Sequence, residues 1–107
     1  MFILESDRLK LDSEFREILG TGNVYFQPPS SEKMRYDCIR YERSKVSSMY
    51  ASNVIYRMKD RYTVTLMYRD PDSDLPYKIL KHFNKYISHD THFTKDNLHH
   101  DVFTLYY

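Results

Sequence analysis

The residues of this chain whose types could do chemistry are its five histidines, its aspartates and one cysteine. His89, His92, His99 and His100 crowd the C-terminal part, among Asp90, Asp96 and Asp101. A zinc site needs such ligands to converge at fixed spacing. Here His89 and His92 fall in "SHDTHFTKDN", which reads as a connecting loop. Adjacent His99 and His100 point to opposite faces of a strand. The spacing therefore predicts polar residues at a strand entrance and no metal. Asp70, Asp72 and Asp74 resemble the start of a calcium loop. They lack the turn glycine and the glutamate at the twelfth position, so helix capping by Asp72 or Ser73 accounts for them better. Cys38 is the sole cysteine, which excludes an intrachain disulfide and a cysteine-rich zinc site. Its strand neighbours make it a small buried hydrophobe. With two glycines there is no phosphate-cradling loop. No nucleophile–base pattern stands out, and the expectation is a chain with no enzymatic activity and no cofactor.

The elements that position these residues follow from periodicity. Leu11, Phe15, Ile18 and Leu19 share one face of a helix over 4–19, which Gly20 stops. "VYF" at 24–26 reads as a short strand. Two prolines make 27–33 a loop. "YDCIRYE" at 36–42 alternates Ile39 and Tyr41 against Cys38 and Arg40, a second strand. The residues at 43–53 form an irregular loop. "VIYRM" at 54–58 and "RYTVTLMYR" at 61–69 predict a hairpin turning at Lys59 and Asp60. In its second arm Tyr62, Val64, Leu66 and Tyr68 share one face. Residues 70–87 predict a helix with Pro76 in its first turn and Leu75, Ile79, Leu80, Phe83 and Ile87 as its buried stripe. "HHDVFTLYY" closes as a strand. The order α-β-β-β-β-α-β predicts an α+β fold: a mainly antiparallel sheet of four to five strands, with two helices on one face, in a single domain over residues 1–107.

Composition narrows the class. With 41% hydrophobic and 29% charged residues, the chain reads as a globular protein. No apolar run approaches the roughly 18 residues of a membrane span, and "MFILESDRLK" lacks a signal-peptide layout. The net charge of +1 hides an asymmetry. Residues 1–31 carry three basic and five acidic residues, 32–69 nine and four, and 70–107 four and six. A basic middle between acidic ends fits a surface that meets an acidic neighbour. A nucleic-acid module using Arg57, Lys59, Arg61 and Arg69 is the alternative from a different class. A small hydrolase built on the late histidines is a third. The 11 tyrosines and 6 phenylalanines, against no tryptophan, suit half-buried sheet faces and interfaces. Tyr50, Tyr56, Arg57, Lys59 and Arg61, with Tyr106 and Tyr107 on the closing strand, are the expected contact residues.

The segments "NVYFQPP", "YDCIRYE", "RYTVTLMYRDPDSDLPYKIL" and "FTKDNLHHDVFTLYY" resemble those of small morphogenesis proteins of long-tailed bacteriophages, over about Asn23–Tyr107. The element order resembles that of the phage tail terminators. "RDPDSD" and "FTKDNLHHDVFTLYY" are the most specific pieces. Lys95 and His99 stand where a small residue and an asparagine are usual in the family. The resemblance implies a virion structural protein at the tail–head junction, made in the host bacterial cytoplasm. It implies a homohexameric ring that caps the tail tube. Its partners would be the major tail tube protein and a head-completion or connector protein, with DNA passing through the lumen unbound. A head–tail connector or head-completion (neck) protein is the alternative within this neighbourhood.

Overall fold

The computed structural model describes residues 4–45 and 59–107, with side chains from Arg8 onward in the first helix. The elements run α1 (Leu4–Leu19), β1 (Val24–Phe26), β2 (Cys38–Lys45), β3 (Arg61–Tyr68), α2 (Leu75–Phe83), a 3-10 turn (Asn84–Tyr86), β4 (Ile87–Lys95) and β5 (Leu98–Tyr106). The sheet order is β1-β2-β3-β5-β4. Only the β1–β2 pair is parallel. This is the expected α+β class. No helix of the described residues is long and apolar enough to cross a membrane.

Strand β3 lies at the centre of the sheet. Its alternation sends Tyr62, Val64, Leu66 and Tyr68 to one face, and all four are buried. Register places Ile39 beside Leu66 and Tyr41 beside Val64 on one flank. On the other flank Phe103 lies beside Val64 and Leu105 beside Tyr62. Leu11 and Phe15 of α1 and Ile79 and Phe83 of α2 close over this face as one cluster, with Ile18, Leu19, Leu75 and Leu80 at its margin. The Phe15 ring meets Tyr41 at 5.0 Å and Phe83 at 5.6 Å, tilted and edge-on as aromatic quadrupoles favour. Gly20 ends α1 at φ +80°, donating its N–H to the Arg16 carbonyl at 2.9 Å. That left-handed step is the one glycine takes most cheaply.

Several expectations change. Strand β2 runs on to Lys45, so 43–45 are strand residues and not the start of the expected 43–53 loop. The 54–58 arm of the hairpin lies outside the described residues, as do Tyr50, Tyr56 and Arg57. Both edges of β3 are taken, by β2 and β5. Asp60 extends that ladder instead of turning: its N–H and carbonyl exchange bonds of 3.0 and 3.1 Å with Tyr107. The second helix is shorter than 70–87 and starts at Leu75. Its N-cap is Asp74, whose side chain makes no capping bond, while Ser73 Oγ accepts the Leu75 N–H at 3.2 Å. Residues 87–95 form a strand and not a connection. Asp96 and Asn97, at φ 55° and 64°, make the tight turn into β5. Left-handed residues at both central positions are what a two-residue hairpin needs, and Asp and Asn supply them with little strain.

Leu66 is fully buried at the centre of this core. Leu66→Ala should cost about 2–5 kcal/mol in a denaturant titration. Leu9→Ala, at a position more than half exposed, should cost less than about 0.5 kcal/mol.

Candidate functional site

The apolar face of the sheet turns polar where β3 ends. Register sets Asp101 beside Leu66 and His99 beside Tyr68 on the core side. On β4, His92 lies beside Asp101 and His89 beside Phe103. Residues three apart on a regular strand point to opposite faces. A bulge between His89 and Thr91 absorbs Asp90 and returns both histidines to one face. The bulged Asp90 carboxylate is held in turn by Thr104 Oγ1 at 2.5 Å.

Asp101 gathers this cluster. It is 3% exposed, and its Oδ2 accepts the Tyr68 hydroxyl at 2.5 Å. Its Oδ1 lies 2.8 Å from both His89 Nε2 and His92 Nδ1. An ionised carboxylate only accepts, so each ring turns an N–H toward it. Burial pushes the carboxyl up, but the bonds from Tyr68, His89 and His92 and the charge of His92 outweigh that and hold it below the usual aspartate range. The Tyr68 hydroxyl is pushed upward, first by burial and then by its bond to Asp101. His99 stacks on Tyr68 at 5.3 Å and on His92 at 5.5 Å. His100 faces the other way and stacks on Phe93.

A carboxylate and the imidazole it orients form a general-base dyad, and covalent catalysis adds a side-chain nucleophile to it. Among the described residues, Tyr68 is the only hydroxyl bonded to Asp101, and it donates to the carboxylate. Cys38 is buried elsewhere beside Met67, its thiol pushed to about 12 by burial and by Asp37. Among the described residues no group of three His, Cys, Asp or Glu is arranged to hold a metal ion. A shallow groove between α1 and α2, lined by Glu17, Ile18, Lys78, Lys81 and His82, shares no residue with the cluster. The cluster ties β4 and β5 to β3. His89 and His92, expected in a loop, are strand residues that do this.

Of the expected contact residues, the described ones, Lys59, Arg61, Tyr106 and Tyr107, fall elsewhere, at the opposite end of the sheet. Arg61 opens β3 beside Lys45 and Tyr106. Its Nε reaches Ser44 Oγ at 3.1 Å. Lys59 Nζ sits 4.3 Å from the Tyr86 ring centre, and Lys85 Nζ 5.4 Å from the same ring. Tyr86 and Tyr106 are exposed. Tyr107 differs: its hydroxyl bonds Glu14 on α1 and its ring meets Phe83 edge-on. Arg69, grouped with these cations by sequence, leaves the far end of β3 and lies over Tyr36. Lys45, Lys85 and Tyr86 are additions that strand order alone could not supply.

The far end is acidic. Beyond Tyr68 come the exposed Asp70, Asp72 and Asp74, and the β4–β5 turn with the exposed Asp96 lies at the same end of the sheet, past the Tyr68–His99 pair. Arg69 and Lys95 adjoin them in sequence, and Lys78 Nζ lies 3.7 Å from Asp74 Oδ2. Comparison with family models, with curated proteins and with solved structures finds no match to this chain.

Tyr68→Phe removes one donor from a buried carboxylate and should cost about 1.5–3 kcal/mol. The pH dependence has a definite sign. Asp101 is depressed in the folded state, so its contribution is complete above the unfolded value near pH 4 and disappears as pH falls through the lower folded value. The stability difference between wild type and Asp101→Asn, followed by urea unfolding at successive pH values, should hold down to about pH 4 and shrink below it.

Proposed function

We propose that this chain is a non-enzymatic virion subunit that closes a phage tail tube as a ring and offers the surface on which the head is joined. One observation carries the reading. The two segments with the most specific resemblance, "RDPDSD" at 69–74 and "FTKDNLHHDVFTLYY" at 93–107, are about twenty residues apart in sequence. Tyr68–His99 pairing brings them to one end of the sheet. There they form an exposed turn, a hairpin tip and part of the polar cluster behind them. Residues that build a surface suit assembly.

The sheet's edges support the same reading. β1 is three residues long and runs into Pro28 and Pro29, which blunts that edge. Among the described residues β4 is the other edge, nine residues long with eight exposed. Unlike edges and unlike ends are what a heterologous, ring-closing contact requires. In this role the protein would sit at the tail–head junction. Its partners would be copies of itself, the tail tube protein and a head-completion protein.

Assembly provides the test. Infected cells lacking this chain should accumulate filled heads with overlong or unjoined tails by electron microscopy, and adding purified protein to the lysate should restore finished particles. Finished particles of normal tail length in its absence would overturn the reading.

A further inference from the structure

The charge of the described domain is divided along its strands. One end carries Lys45, Lys59, Arg61 and Lys85 around two exposed tyrosines, Tyr86 and Tyr106. Two further charges near this end are already joined, with Arg43 Nε 3.1 Å from Asp60 Oδ2. The other end carries Asp70, Asp72, Asp74 and Asp96; Asp74 Oδ2 lies 3.7 Å from Lys78 Nζ, and Arg69 and Lys95 adjoin the group. Strand β3, eight residues long, separates the two ends. At about 3.3 Å per residue they lie roughly 25 Å apart.

We infer that the subunit contact of the ring joins the basic, tyrosine-bearing end of one copy to the aspartate end of the next. This deepens the ring reading and rests on it. A two-fold contact through either end would set like charges against each other, whereas a head-to-tail contact pairs opposite charges. Head-to-tail contacts are the kind that close into rings. Tyr86 and Tyr106 supply stiff, amphipathic area for the centre of such a contact, with lysine and arginine around it. Lys59 and Lys85 flank the Tyr86 ring, so docking there would bury ring and charge together. Nucleic acid is the weaker partner for this end. Four cations neutralise about four phosphates, fewer than the six to ten contacts that give strongly salt-dependent binding. The complementary charge is also present on the chain itself.

Charge exchange tests the contact. One variant carries Lys59→Glu and Lys85→Glu; a second carries Asp72→Lys and Asp74→Lys. If the lysine variant melts well below wild type, Asp72→Asn with Asp74→Asn replaces it as the single-variant control. Full-length proteins are compared by sedimentation at low salt. The expected result is a wild-type particle of about six chains, at least tenfold weaker association in each variant alone, and recovery of the particle in an equimolar mixture of the two reversed variants. Particles of wild-type mass from both reversed variants would overturn the contact and leave the ring reading standing. A wild type that stays monomeric at all concentrations would overturn both. Unchanged particles, together with binding of a single-stranded oligonucleotide that the Lys59/Lys85 variant loses, would overturn the contact in favour of a nucleic-acid surface.

Discussion

A tyrosine whose ring is buried must still find a partner for its hydroxyl, and this one requirement organises the fold. Tyr41, Tyr62 and Tyr68 all point into the core face of the sheet. Each hydroxyl emerges at the margin and is bonded there. Tyr41 donates to Asp12 at 2.7 Å and accepts from Arg8 at 3.2 Å, which pins α1 over β2. Tyr62 accepts from Arg43 at 3.3 Å. Tyr68 donates to Asp101. A buried hydroxyl left unpaired costs about 1–3 kcal/mol, comparable to a small core cavity. The rings thus bind the layers together by area, and the hydroxyls fix where each layer stops.

The third of these bonds shapes the surface. Because Asp101 is buried to reach Tyr68, its second oxygen also needs donors, and His89 and His92 supply them from the edge strand. The bulge at Asp90 exists in the service of that geometry: without it the two imidazoles would face opposite ways. The cluster thereby holds β4 in place. The β4–β5 hairpin carries Asp96 to the end of the sheet at which β3 runs into the Asp70–Asp74 turn, and so gathers carboxylates at one end. At the other end Arg61, Lys59 and Lys85 are brought around exposed tyrosine. A division of charge that is only a modulation along the sequence becomes two opposed surfaces in the folded chain.

How much was legible depended on how one-sided each element is. Helix α1 was readable residue by residue, because Leu11, Phe15, Ile18 and Leu19 repeat at helical spacing and Gly20 closes them. Strand β3 was readable because one face is wholly buried and the other is not. Strand β4 was not: eight of its nine residues are exposed, so no alternation of apolar and polar residues survives to mark it. Its one signal was Asp96–Asn97, a pair suited to left-handed turn positions, and it stands between two runs that lack strand hydrophobicity on the first side. The bounds of α2 are hidden in the sequence: Asp70, Asp72 and Asp74 suit a turn before a helix as well as a helix start, and Ile87, in phase with the buried stripe, opens β4 instead.

The sequence by itself determined the α+β class and the one-sided elements: helix α1, the closing strand β5, and strand β3 with Tyr62, Val64, Leu66 and Tyr68 inward. Those outcomes follow from side-chain periodicity, which each segment carries within itself. Tertiary structure alone decided which strands are neighbours. It gave β3 to β2 and β5, made Asp60 a ladder residue opposite Tyr107, and set Asp101 under two histidines across a bulge. Strand order is settled by competition among all edges for partners and cover, and that competition leaves no periodic trace in any one segment.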